Sequence, residues 1–189
     1  MEIPLIVLGV VIVALALIVI GMYNSLIRLK NRVDEAWSDI DVQLQRRYDL
    51  IPQIVKAVDQ YAKYERATLE AVTELRAEAK RIRDVEELGR VEEELSAGLQ
   101  RLIAVAEDYP DLKANENFLE LQAELVETEN YLQFARRYYN GSVRDYNTMT
   151  ETVPSNIVAS LFGFGLRKFF QKSSDEVAAV PLVKLGSGE

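Results

Sequence analysis

The stretch IPLIVLGVVIVALALIVIGM, Ile3 to Met22, carries no charged residue over about 20 positions. Wound as an α-helix, that length crosses the ~30 Å hydrocarbon layer of a bilayer. A secretory signal would open on basic residues and close on a small-x-small cleavage site. Here Glu2 precedes the run, and Gly21-Met22-Tyr23 is a poor cleavage site. A retained single-pass anchor over residues 1–22 is therefore expected. Arg28, Lys30 and Arg32 follow the run closely. The positive-inside rule then predicts an N-terminus outside and the rest in the cytoplasm, at the inner membrane.

The remaining composition excludes more than it selects. The chain has no cysteine and no histidine, which removes disulfides, thiolate nucleophiles, Ser-His-Asp triads and His-ligated zinc. A net charge of −8 argues against a general nucleic-acid binder, whose affinity comes from neutralising phosphates. No cofactor, metal, catalytic residue or small-molecule substrate is indicated.

Between Tyr23 and about Arg83 there is no glycine, and Pro52 is the only proline. Val33, Trp37, Ile40, Leu44, Tyr48, Ile51, Val55, Val58, Ala62 and Leu69 recur at alternating three- and four-residue steps, a heptad-like stripe. The pattern predicts one very long helix, continuous with the apolar run. Leu88, Val91, Leu95, Leu99, Leu102 and Ala106 make a second stripe, ended by Tyr109-Pro110-Asp111. Asn117 followed by Glu120 resembles a capping box opening a third helix along Phe118, Leu121, Leu125, Thr128, Leu132, Ala135, Tyr139, Val143 and Tyr146. Each stripe needs a partner. The expected class is all-α: a transmembrane helix, then an up-and-down bundle of long antiparallel helices over 23–152.

From Val153 to Lys172 the character changes. VPSNIVASLFGFGLRKFFQK sets four phenylalanines among glycines and cations. A short helix should begin at Ser155, with Ile157, Val158, Leu161 and Phe162 on one face and Gly163 and Gly165 breaking it. Phe162, Phe164, Arg167, Lys168, Phe169 and Phe170 are the candidate contacts to a membrane or partner; capping of the bundle end is the other reading. Residues 173–189 read as a flexible tail.

Tyr23–Ala62 (YNSLIRLKNRVDEAWSDIDVQLQRRYDLIPQIVKAVDQYA) resembles the signature of the LemA family of bacterial membrane proteins. The likeness continues in YPDLKANENFLELQAELVETEN (109–130), RRYYNGSVRDYN (136–147) and VPSNIVASLFGF (153–164). The resemblance implies a short extracytoplasmic N-terminus, one membrane helix and a cytoplasmic bundle. It implies no reaction. Family members often accompany HtpX-type membrane zinc metalloproteases, and relatives include magnetosome-membrane proteins. This chain lacks His-Glu-x-x-His and so is not itself such a protease.

Within the first stripe Pro52 removes a helical donor. Asp49 could cap a new helix there, but the unbroken register from Tyr48 through Ile51 to Val55 predicts a bent, continuous one. Arg46, Arg47 and Asp49, with Arg136, Arg137, Tyr138, Tyr139 and Asn140 and with Arg144, Asp145, Tyr146 and Asn147, form polar clusters. Such arginines can bind phosphate or carboxylate; alternatively Arg47 or Arg136 pairs with Glu124 or Glu129 between helices. Trp37, Arg47, Pro52 and Tyr139 are expected to be structural. Glu86, Glu87, Glu92, Glu93 and Glu94 read as a solvated face.

Three functions compete. A membrane-anchored scaffold or adaptor would be non-enzymatic, a homo-oligomer or the companion of a membrane metalloprotease. A sensor would pass a bilayer or partner signal along the first helix. A carboxylate-only enzyme has no site motif to support it.

Overall fold

The structure, a computed structural model, describes residues 2–62 and 64–170; Lys172 and the tail expected over 173–189 lie outside the described residues. Helix α1 runs from Glu2 to Asp59. Every large apolar residue from Ile3 to Ile20 is between 38% and 77% exposed, so none of the described residues covers this end of α1. From Leu26 onward the stripe is buried: Leu26, Val33, Ala36, Ile40, Leu44, Ile51, Ile54 and Val58 are all core residues.

The first helix ends earlier than the stripe predicts. After Asp59 the chain turns, with the Ala62 amide still bonded to the Val58 carbonyl at 2.8 Å, and a separate helix α2 spans Arg66–Ala79. No breaker marks the turn. Folding back buries Leu69, Val72 and Ala79, worth roughly 1.5–3 kcal/mol for each large side chain. Continuing straight would have left them in water, and a few tenths of a kcal/mol of helix propensity per residue does not outweigh that.

Helix α3, Val85–Glu107, returns antiparallel to α2. The two approach closely at Gly98, where an added Cβ would lie 3.2 Å from the Val72 side chain. Its predicted stripe is buried throughout, and Asp84 caps it by accepting from the Glu86 and Glu87 amides. The short α4, Pro110–Lys113, turns the chain. Helix α5, Glu116–Glu151, then descends along α1. Its cap is Asn115, which accepts from the Phe118 amide at 3.1 Å. The predicted cap at Asn117 falls two residues inside the helix, because Pro110–Lys113 already consumes the preceding turn.

Pro52 sits inside unbroken helix, as its register predicts. Its ring deprives the Tyr48 carbonyl of the usual amide four residues on. Arg76 of α2 supplies the replacement, its Nε donating to that oxygen at 2.6 Å.

After α5 a cis Val153–Pro154 peptide leads into α6, Ser155–Leu161. Gly163, at φ +73°, turns the chain out of it, a conformation that glycine adopts without strain. Residues 164–170 follow without regular structure, running back along α5. The described residues thus form an all-α bundle in which α6 and this strap pack against α1 and α5 beyond the apolar stretch of α1.

Candidate functional site

Two arrangements stand out from the packing, one buried and one at the tail. Arg47 and Tyr48 lie on the buried face of α1, and Arg47 is 0% exposed. Its Nη1 meets Glu92 Oε2 at 2.7 Å, and its Nη2 donates to Ser96 Oγ at 2.8 Å. Its Nε lies 2.9 Å from Glu129 Oε1, an ion pair out of hydrogen-bond alignment. The Tyr48 hydroxyl donates to Glu92 Oε1. One arginine therefore ties α1 to α3 and α5.

Burial pushes the Glu92 carboxyl up against the opposing pull of Arg47 and Tyr48. Burial, and then the charge of Glu92, pushes the Tyr48 phenol far up. Arg136, nearby on α5, is drawn down by burial and by Arg47, and its guanidinium stacks 5.0 Å over the Phe170 ring. Arg47, Arg136, Glu92 and Glu129 thus meet where α1, α3 and α5 come together. Chemically this ties the register of the three helices together, while Arg136 keeps its Nε and one Nη buried without a hydrogen-bond partner.

The tail arrangement is built on Tyr139-Asn140 and Tyr146-Asn147, two Tyr-Asn pairs seven residues apart on α5. Tyr146 donates to the Gly165 carbonyl at 3.0 Å. The Asn147 amide clasps Arg167, donating to its carbonyl and accepting from its N–H, both at 2.9 Å. One heptad earlier the pattern repeats. Tyr139 donates to the Lys168 carbonyl at 2.9 Å, while Asn140 accepts from the Phe170 N–H at 2.9 Å and donates to its carbonyl at 3.2 Å. Seven helical residues rise ~10.5 Å and three extended residues ~10 Å, so the two periods coincide.

The candidate contact residues divide accordingly. Phe170 is 1% exposed, its ring 6.0 Å from Trp37, which in turn meets Tyr139 edge-on at 5.5 Å. Phe164 is half-buried, and with Phe162 it packs edge-on against Tyr23 at 5.6 and 4.9 Å. Arg167 pairs with Asp34 at 3.0 Å and Lys168 with Asp84. Phe162 and Phe169 remain 52% and 37% exposed. The phenylalanines thus point three ways: into the core, against Tyr23 and outward.

Residues 36–185 match the profile of the LemA family. The chain belongs to the LemA family. It is 28% identical over 159 residues to Protein LemA of Metamycoplasma hominis, covering 83% of this chain and 72% of that protein. It is 23% identical over 187 residues to Magnetosome protein MamQ 2 of Paramagnetospirillum magneticum, covering 85% and 69%. Magnetosome protein MamQ of Magnetospirillum gryphiswaldense is 22% identical over 176 residues, covering 79% and 65%.

In this LemA-family chain the acidic run is not one solvated face, since Glu92 is 0% exposed. The signal was its position: Leu88, Glu92, Leu95 and Leu99 step along one helical face. Arg47 has the same signature between Leu44 and Ile51. Its partner on α5 is Glu129, while Glu124 lines the neighbouring groove with Arg46 and Asp49. Within the LemA-family motif RRYYNGSVRDYN, the heptad repeat of Tyr-Asn is the sequence signal for the two clasps, beyond the polar clusters expected there. No side chain in the strap announces that its backbone will be held.

Proposed function

We propose that this LemA-family protein is a non-enzymatic scaffold, anchored in the inner membrane by Ile3–Met22 with its bundle in the cytoplasm. The carrying observation is that α1 runs unbroken from the apolar stretch through the length of the bundle to Asp59. A bundle built this way is a stiff extension of its anchor, suited to holding partners at a set distance from the bilayer. The basic residues Arg28, Lys30 and Arg32 support the orientation. A chain without histidine or cysteine, whose buried Arg47 is engaged by Glu92, Ser96 and Glu129, supports the non-enzymatic reading.

The surface offered to partners is the outer face of α5, where Tyr131, Phe134 and Tyr138 are 48%, 62% and 50% exposed. Exposed aromatics so grouped favour protein association. A second copy of the chain is the expected occupant, with a membrane metalloprotease as the alternative companion. Relatives named as magnetosome proteins support a place in a larger assembly. Because the chain lacks cysteine, Phe134→Cys and Tyr138→Cys place single crosslinking sites on this face. Crosslinked homodimers, or a co-purified membrane protein, are expected from native membranes. Monomers alone, with nothing co-purifying, would overturn the scaffold reading.

The continuous α1 also favours a second reading, in which the bundle senses a change at the bilayer. Helix-breaking glycines inserted after Tyr23 would abolish a relayed signal while leaving partner capture intact.

A further inference from the structure

The segment from Val153 to Leu166 contains no charged residue, and only some of its apolar side chains are absorbed by the bundle. Val158 and Ala159 face inward, joining Leu26, Met22 and Tyr23. Val153, Ile157, Leu161 and Leu166 face outward at 73%, 66%, 75% and 60% exposed. Helix α6 therefore turns Ile157 and Leu161 outward beside Ser160, with Val153 and Leu166 flanking it, so its apolar character is not confined to the face that packs on α1.

Its position explains the second face. The Phe162 and Phe164 rings pack on Tyr23, the residue that follows the apolar run. Counting ~1.5 Å per residue, Tyr23 lies ~30 Å along α1 from Ile3, about one hydrocarbon thickness. The exposed apolar surface of α1 up to Ile20 thus continues onto Phe162, Leu161 and Ile157. Arg28 and Arg32, both exposed, come next along α1, at the level of headgroups.

We propose that α6 is a second membrane contact: it lies in the interfacial layer of the leaflet that α1 leaves, with Ile157, Leu161 and Phe162 in the acyl-chain region. The inference rests on the anchor reading of α1. The occupant of this face is lipid, because the face is continuous with the apolar surface of α1 that meets lipid on the anchor reading. An aromatic and aliphatic face beside exposed arginines matches the interface. The bundle would then be held at two points rather than one, which fixes its tilt.

The test uses the full chain in vesicles of phosphatidylcholine and phosphatidylglycerol, with single-cysteine variants carrying spin labels. Ile157→Cys and Leu161→Cys report on α6, Ile20→Cys on the anchor, and Arg101→Cys on exposed α3. Relaxation by oxygen marks lipid and relaxation by a water-soluble nickel chelate marks water. Positions 157 and 161 should resemble position 20, with an oxygen-to-nickel ratio several-fold above that at position 101. If position 20 reads lipid while 157 and 161 read water, or are shielded from both reagents as by a protein partner, the α6 inference is overturned and the anchor stands. If position 20 itself reads water, the anchor reading falls and the inference with it. Circular dichroism of each labelled variant confirms that the helices are intact.

Discussion

Arg76 stands where a backbone amide is missing: its Nε lies 2.6 Å from the carbonyl oxygen of Tyr48, the acceptor that Pro52 leaves vacant. A proline in a helix interior ordinarily costs about 3 kcal/mol, partly through that unmet carbonyl. Here the defect in α1 becomes an attachment point for α2.

Arg76→Met should therefore destabilise the protein by about 1–3 kcal/mol, the penalty of an unsatisfied, partly buried acceptor. In a Pro52→Ala background the new amide takes the carbonyl, and the same substitution should cost distinctly less. Denaturant unfolding of the four proteins gives the coupling directly; equal losses in both backgrounds would separate Arg76 from the proline.

Removing Arg47 strands Glu92 in the interior. Arg47→Met is expected to cost about 3–5 kcal/mol, and adding Glu92→Met should recover much of it. Thermal melts of the single and double variants check this. A double variant no more stable than Arg47→Met would mean that packing, not charge, dominates at this site.

Alkaline pH should weaken the fold through Tyr48. Its native pKa lies above the ordinary 10.0, so above that value the unfolded phenol loses a proton that the native one keeps. The native state then binds more protons, and stability falls as pH rises, by at most about 1.4 kcal/mol per pH unit from this group. Tyr48→Phe removes that contribution, so the gap between wild type and variant should narrow steadily above pH 10. A constant gap in unfolding free energy would count against it.

Asn140→Ala should free the Phe170 amide, and Asn147→Ala that of Arg167, each with accelerated hydrogen exchange at its own site. Asn147→Asp keeps the acceptor and loses the donor. It should leave the Arg167 amide better protected than alanine does. Uniform acceleration along the strap in every variant would show that the two clasps act as one unit.

Much of the architecture is readable from side-chain spacing alone. The stripe from Leu88 to Ala106 is buried as its period requires, and Ser155 begins a helix where the proline and serine place it. Three features resisted for physical reasons. The end of α1 at Asp59 is imposed by what α2 buries, and no local residue encodes it. Glu92 hides among four other glutamates, distinguished only by its phase on the helix. The strap is held through its backbone, so its own sequence says little about where it lies; the Tyr-Asn repeat on α5 carried that information.

The matched periods of α5 and the strap act as a vernier. A slip of one or two residues would face Asn140 and Asn147 with backbone groups out of phase, and both clasps would be lost together. A slip of three would restore the phase but bring Arg167 or a residue beyond Phe170 to the slot beside Trp37 and Tyr139. Gly165, Arg167 and Lys168 meet the clasps only through main-chain atoms, so their side chains are free to change as far as the clasps are concerned. Their number is not: one residue inserted between Gly165 and Phe170 would disengage a clasp that many substitutions would leave intact. Over this segment the clasps constrain spacing more tightly than they constrain side-chain identity.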